Sequence, residues 1–89
     1  MTRMDEKTIR LLVENGAIKR VTIIGNGGLL HVEAMTPTGK HTATTLKGKL
    51  KTWTSLNSAA KWVRSLGIGR VQLNIEKWQP DQKVLLVGN

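Results

Sequence analysis

The chain has no cysteine, no phenylalanine and no tyrosine, and its acidic residues stop at Glu33 and do not resume until Glu76. Without cysteine there can be no disulfide, no thiolate metal site and no cysteine nucleophile. Secreted domains of this size usually need such staples, so a cytoplasmic location is expected. Without Phe or Tyr the core has to be aliphatic, supplemented by Trp53, Trp62 and Trp78. Long apolar runs are missing as well. No segment is long enough to span a membrane, and the charge-bearing stretch Met1 to Glu14 does not read as a secretion signal.

What is present is a basic chain of 89 residues, 39% hydrophobic, with 14 Lys and Arg against 6 Asp and Glu and a formal net charge of +8. That length suits one domain over residues 1–89 with a single modest core. The acid-free stretch between Glu33 and Glu76 holds Lys40, Lys47, Lys49, Lys51, Lys61, Arg64 and Arg70. A block of one sign repels itself, and a polyanion relieves that repulsion. DNA is therefore the expected partner; the alternative is an acidic protein surface, met by the basic face with contact from the polar stretch Gln72–Lys77 or a free sheet edge, and a merely solvated basic surface is the plainest reading.

Hydrophobic spacing predicts a short helix over Asp5–Asn15, with Ile9, Leu12 and Val13 on one face, Asp5 and Glu6 at its positive end and Gly16 as its stop. Ala17–Ile24 and Leu29–Met35 read as a β-hairpin around Gly25-Asn26-Gly27-Gly28. After the turn Thr36–Gly39, His41–Trp53 reads as a third, long strand, bent or bulged near Gly48. Ser55–Leu66 reads as a second helix with the stripe Leu56, Ala59, Ala60, Val63 and Leu66, and Gly67 fits its left-handed stop. Val71, Leu73 and Ile75 alternate with polar residues, so a half-buried strand should follow, facing the core of the second helix. Lys83–Val87 could add a last strand or a tail. The expected fold is α+β: a single antiparallel sheet of three to five strands with two helices on one face, in the order α-β-β-β-α-β, with one further β optional.

In an extended strand Lys47, Lys49 and Lys51 share one face while Leu46 and Leu50 share the other. Three ammonium groups in a row suit phosphates, and a sheet can enter the DNA major groove. The plainer alternative is edge protection, since exposed strand lysines discourage aggregation. Trp53 lies in phase with the lysines and could stack on a base or cover their stems, although a Trp at a strand–helix junction is more often core. The nucleic-acid-binding candidates are thus Lys40, Lys47, Lys49, Lys51, Trp53, Lys61, Arg64 and Arg70. Lys61 and Arg64 lie off the helix stripe, as ordinary solvated positions do.

Enzyme chemistry finds no footing. Gly25–Gly28 lacks the Lys-Ser/Thr ending of a phosphate loop and reads as a hairpin turn. His31 and His41 have no metal-ligand spacing, and the serines have no evident base. His31 and Glu33 share a strand face and could hydrogen-bond, a common surface pairing. No cofactor is implied.

Two resemblances add to this. The hairpin, the basic segment Lys47-Gly48-Lys49-Leu50-Lys51-Thr52-Trp53 and the helix from Ser55 resemble the three-stranded-sheet-and-helix arrangement of integrase arm-binding and plant AP2 domains, which place the sheet in the major groove. This likeness spans about half the chain and is one of topology. Over most of its length the chain also resembles the small ParC-type partition-associated proteins of plasmids and integrative elements. The resemblance is carried by Gly16-Ala17-Ile18 after the first helix, by the basic third strand, by Leu56 through Ile68, and by Trp78 near Pro80. It implies a plasmid or mobile-element setting for a DNA-binding accessory protein.

Overall fold

The computed structural model describes residues 2–80, and the expected strand or tail over Lys83–Val87 lies outside them. Seven elements follow in order: β1 (Thr2–Asp5), α1 (Glu6–Glu14), β2 (Arg20–Gly27), β3 (Leu29–Thr36), β4 (Gly39–Thr44), α2 (Leu56–Ser65) and β5 (Gln72–Trp78). The strands form one sheet in the order β1-β4-β3-β2-β5. The fold is α+β as expected, but the sheet is mixed, which corrects the antiparallel expectation. β1 runs parallel to β4 and β5 runs parallel to β2, while the two inner hairpins are antiparallel. The cause is the position of the helices. A strand that passes through a helix packed back over the sheet re-enters in its original direction, whereas a tight turn reverses it. β1-α1-β2 and β4-α2-β5 are both such crossovers, and β3 alone points the other way. The strand β1 was also unexpected, since Thr-Arg-Met-Asp carries little strand propensity.

Local chemistry accounts for the element ends. Asp5 caps α1 by accepting the Thr8 N–H at 2.9 Å, and Ser55 caps α2 by accepting the Ser58 N–H at 3.2 Å. The β2–β3 hairpin closes at the pair Asn26↔Leu29, and Gly27 supplies the positive φ of 61° that its turn requires.

Alternation puts Val21 and Ile23 of β2, Leu30, Val32 and Ala34 of β3, and Ala43 of β4 on the helix side, where they are fully buried with Ile9 of α1 and Ala59 and Val63 of α2. Of the expected α2 stripe, Ala59, Val63 and Leu66 are buried, and Leu56 and Ala60 pack against that core partly buried. Arg10 ties the helices together by donating to the Ser65 carbonyl at 3.1 Å.

β5 departs from the expectation. Leu73 pairs with Ile23 and so points to the helix side, but the helices pack chiefly on β1, β3 and β4 and leave this edge largely uncovered. Val71, Leu73 and Ile75 are accordingly 41%, 45% and 51% exposed rather than buried in the core. β5 is paired with β2 along its length, and Trp78 at its end also packs against the core. The register of β5 on β2 shifts between Ile24 and Asn26, which brings Trp78 opposite Gly27 and its side chain directly onto Gly25.

Candidate nucleic-acid interface

The alternation that fills the core leaves the other face of the sheet uncovered by helices. Cross-strand pairing arranges that face in rows. The first row runs Arg20–Met35–Lys40 across β2, β3 and β4. The second runs Gln72–Thr22–Glu33–Thr42–Arg3 across all five strands. The third begins Asn74–Ile24–His31. Arg20 and Lys40 are two strand spacings apart, about 10 Å. Both are exposed, and neither has an ion-pair partner among the described residues.

The face is hollow rather than flat. A depression of about 460 Å³ is lined by Arg20, Thr22, Glu33, Lys40, Gln72 and Asn74, among others. Beside it a second, of about 370 Å³, takes in Asn26, His31, Glu33, Asn74, Glu76 and Lys77. Chemically this is a trough of hydroxyl, amide, imidazole and aliphatic groups, with the carboxylates of Glu33 and Glu76, between cations. Arg20 offers a planar fork to a phosphate, Lys40 a point charge, and Gln72 and Asn74 the donor–acceptor pair that matches an adenine edge. Glu33 can accept from a cytosine amino group. His31 and Glu33 share this face, as their spacing requires.

The lysine row does not exist as expected. Strand β4 ends at Thr44, and the chain turns back on itself: the Thr45 carbonyl accepts the Gly48 N–H at 2.9 Å and the Lys49 carbonyl accepts the Thr45 N–H at 2.8 Å. Gly48, at φ 83°, adopts a left-handed conformation, so it reverses the chain where a mere bend was expected. Leu50 then bridges Thr44, and Trp53 rejoins the sheet by two hydrogen bonds to Leu30, of 2.8 and 2.9 Å. Strand alternation therefore does not apply to 45–52. Lys47 and Lys49 project from the loop, and Leu46, expected to point inward, is 84% exposed. Leu50, the other residue expected inward, is exposed as well. Arg3 holds the loop to β1 by donating to the Gly48 carbonyl at 3.0 Å.

Lys51 belongs to a different environment. Its Nζ lies 5.6 Å from the Trp53 ring centre and 5.5 Å from that of Trp62, and the two rings are themselves 5.1 Å apart at 47°. The Trp62 indole N–H donates to Glu6 at 2.8 Å, and Glu6 also pairs with Arg10 at 3.0 Å. Trp53 is thus half-buried against the core, covering a lysine and packed at a tilt against another indole. The Trp62 hydrogen bond, followed by that from Arg10, holds the Glu6 carboxyl below its ordinary range. The backbone N–H of Thr8 does the same for Asp5. Both acids act within the architecture, away from the trough.

Lys61 and Arg64 are exposed on α2, in the helix layer. Arg70 lies before β5 at a smaller hollow that Lys19 and Arg20 also line. Of the residues singled out from the sequence, the fold puts Lys40 in the trough, Lys47 and Lys49 in the loop and Arg70 at the edge near Arg20. It does not unite them in one site. Arg20 and Thr22 were missed, whereas Gln72 and Asn74 lie in the polar stretch Gln72–Lys77 that the sequence offers as a protein contact. The signal for the missed pair was available, since Arg20, Thr22 and Ile24 alternate with Val21 and Ile23. Among the described residues no group of three or more His, Asp or Glu could hold a metal ion, and no helix is long and apolar enough to cross a membrane.

Comparison of the chain with protein-family models, with curated proteins and with solved structures finds no match.

Proposed function

We propose that the protein binds duplex DNA through the helix-free face of its sheet, as an accessory factor of plasmid or mobile-element maintenance. The observation that carries this is the cross-strand row in which Arg20 and Lys40, both without an ion-pair partner among the described residues, flank a hollow lined with amide, hydroxyl and aliphatic groups and the Glu33 carboxylate. Lys47, Lys49 and Arg70 add cations at its margins, within a chain of net charge +8. Arg20 and Lys40 engage phosphates and set the docking of the sheet, while Gln72 and Asn74 reach base edges. Glu33 and Glu76 on the same face favour a second reading, in which the face docks on a partner protein of mixed charge.

A fluorescence-anisotropy titration of a labelled duplex over a range of salt concentrations tests the proposal. With three or four phosphates engaged, log affinity should fall with log salt at a slope of roughly −3 to −4. Arg20→Gln with Lys40→Gln should flatten that slope by about two units. Lys61→Gln with Arg64→Gln, which removes equal charge from the helix layer, should change it much less. Equal losses in the two pairs would refute a docking face. Absence of duplex binding at low salt would transfer the face to the protein reading.

A further inference from the structure

The turn after β4 carries an apolar group that the sheet face alone does not use. Leu46, at its tip, is 84% exposed, more than any other large apolar side chain among the described residues. A single exposed leucine on an ordinary surface needs no explanation. This one is held out on a rigid support. The Gly48 N–H donates to the Thr45 carbonyl, the Thr45 N–H to the Lys49 carbonyl, and the Lys49 N–H to the Thr45 hydroxyl at 3.3 Å. With Gly48 in the left-handed region, this is a four-residue turn followed by a bulge, one of the preferred tight closures of a hairpin. Leu46 and Lys47 occupy the two corners of the turn, Lys49 follows, and Leu50 bridges Thr44 at the base.

The turn is also tied to the trough side of the molecule. Arg3 ends the row Gln72–Thr22–Glu33–Thr42–Arg3 on the helix-free face, and its guanidinium donates to the Gly48 carbonyl at the turn.

We propose that Leu46 is a wedge that enters a base step of duplex DNA from the minor groove and kinks it, with Lys47 and Lys49 on the flanking phosphates. The proposal rests on the duplex-binding reading above and adds a deformation to it. An apolar side chain inserted between base pairs, beside basic residues, is the device by which minor-groove proteins unstack a step. The hydrogen bonds of the turn order the support in advance, which lowers the cost of binding. Such wedges bend the duplex toward its major groove. That is the groove in which Gln72 and Asn74 can meet an adenine edge, so the bend wraps the duplex around the trough. A lipid surface suits the turn less well. One leucine between two lysines buries little area, and the tryptophans that would anchor it pack against the core instead.

The test uses a short duplex with a central TA step, which unstacks readily. Fluorophores at its two ends report bending, and 2-aminopurine in place of the central adenine reports unstacking. At saturation the unmodified protein should raise energy transfer between the ends, as a kink of about 20–90° requires, and brighten the 2-aminopurine several-fold. Leu46→Ala should lose most of both signals and bind several-fold more weakly, with an unchanged salt slope and an unchanged far-UV spectrum. Leu46→Met, which keeps an apolar wedge, should retain most of both signals. Lys47→Gln with Lys49→Gln should instead flatten the salt slope by roughly one to two units. Duplex binding without bending, or bending that survives Leu46→Ala, would overturn the wedge and leave the docking face standing. Absence of duplex binding at low salt would remove both. Binding to phosphatidylserine vesicles that Leu46→Ala abolishes, with no effect of that variant on DNA, would give the leucine to a lipid surface and overturn the proposal.

Discussion

Replacing Gly25 by Ala should expose how β5 is held. A Cβ built at Gly25 falls on the Cβ of Trp78 and within 2.7 Å of its Cδ1. The obstruction is the root of the indole side chain, which cannot swing aside without moving the strand. Overpacking of this kind costs typically about 1–3 kcal/mol. For a domain of this size each kcal/mol moves the melting temperature by roughly 4–8 °C, so a central value of about 2 kcal/mol lowers it by roughly 8–16 °C. Gly25 does not occupy the positive-φ region, so alanine is otherwise compatible with its backbone. With Trp78→Ala as background, the same substitution should become neutral or stabilise by about 0.4–1 kcal/mol, because it then only restricts the unfolded chain. Thermal unfolding of the four proteins, followed by far-UV circular dichroism, gives the double-mutant cycle. A Gly25→Ala effect of the same sign and size in both backgrounds would refute the packing of Trp78 on Gly25.

Val63, 2% exposed at the centre of the core, should not tolerate Asp, and the variant should lose cooperative unfolding; Leu46→Asp should shift the urea midpoint negligibly. Lys51→Gln should cost about 0.5–1 kcal/mol through its two indole contacts, whereas Lys47→Gln and Lys49→Gln should each cost less than about 0.5, as denaturant titration of the three would show. Asp5 and Glu6 have folded-state affinities for protons that are lowered, so the stability they contribute is present above the ordinary carboxylate range and is lost as pH falls through their lowered values. Urea midpoints measured from pH 7 down to pH 3 should therefore decline on acidification, and Glu6→Gln should flatten part of that decline.

Elements with a strong local pattern were legible in the sequence. The stripe and caps of α2, the alternation in β3 and the glycine turn between β2 and β3 all express backbone and packing preferences that act within a few residues. The misjudged outer strands have a different cause. Whether β5 is buried depends on how far two helices extend over a sheet, which its own alternation cannot reveal. The direction of β1 and β5 is set by crossovers, again a property of distant elements. The lysine strand failed for a local reason: Lys-Gly-Lys is compatible with a bulged strand and with a reversing turn, and the hydrogen bonds of Thr45 select the turn. The trough was half legible. The outward parity of Arg20 and Thr22 follows from β2 alone, but their meeting with Lys40, Gln72 and Asn74 requires the strand order.

That strand order also sets a sequence of events in time. The meander β2–β3–β4 closes through two tight turns, so its contacts are local and form early. The outer strands, β1 against β4 and β5 against β2, close across much longer chain segments, and loop-closure entropy delays them. Refolding should therefore pass its barrier with the meander and α2 assembled and both outer strands still loose. Amide exchange should rank the protein in the same way, with β3 slowest and β1 and β5 released in sub-global openings that leave the centre intact.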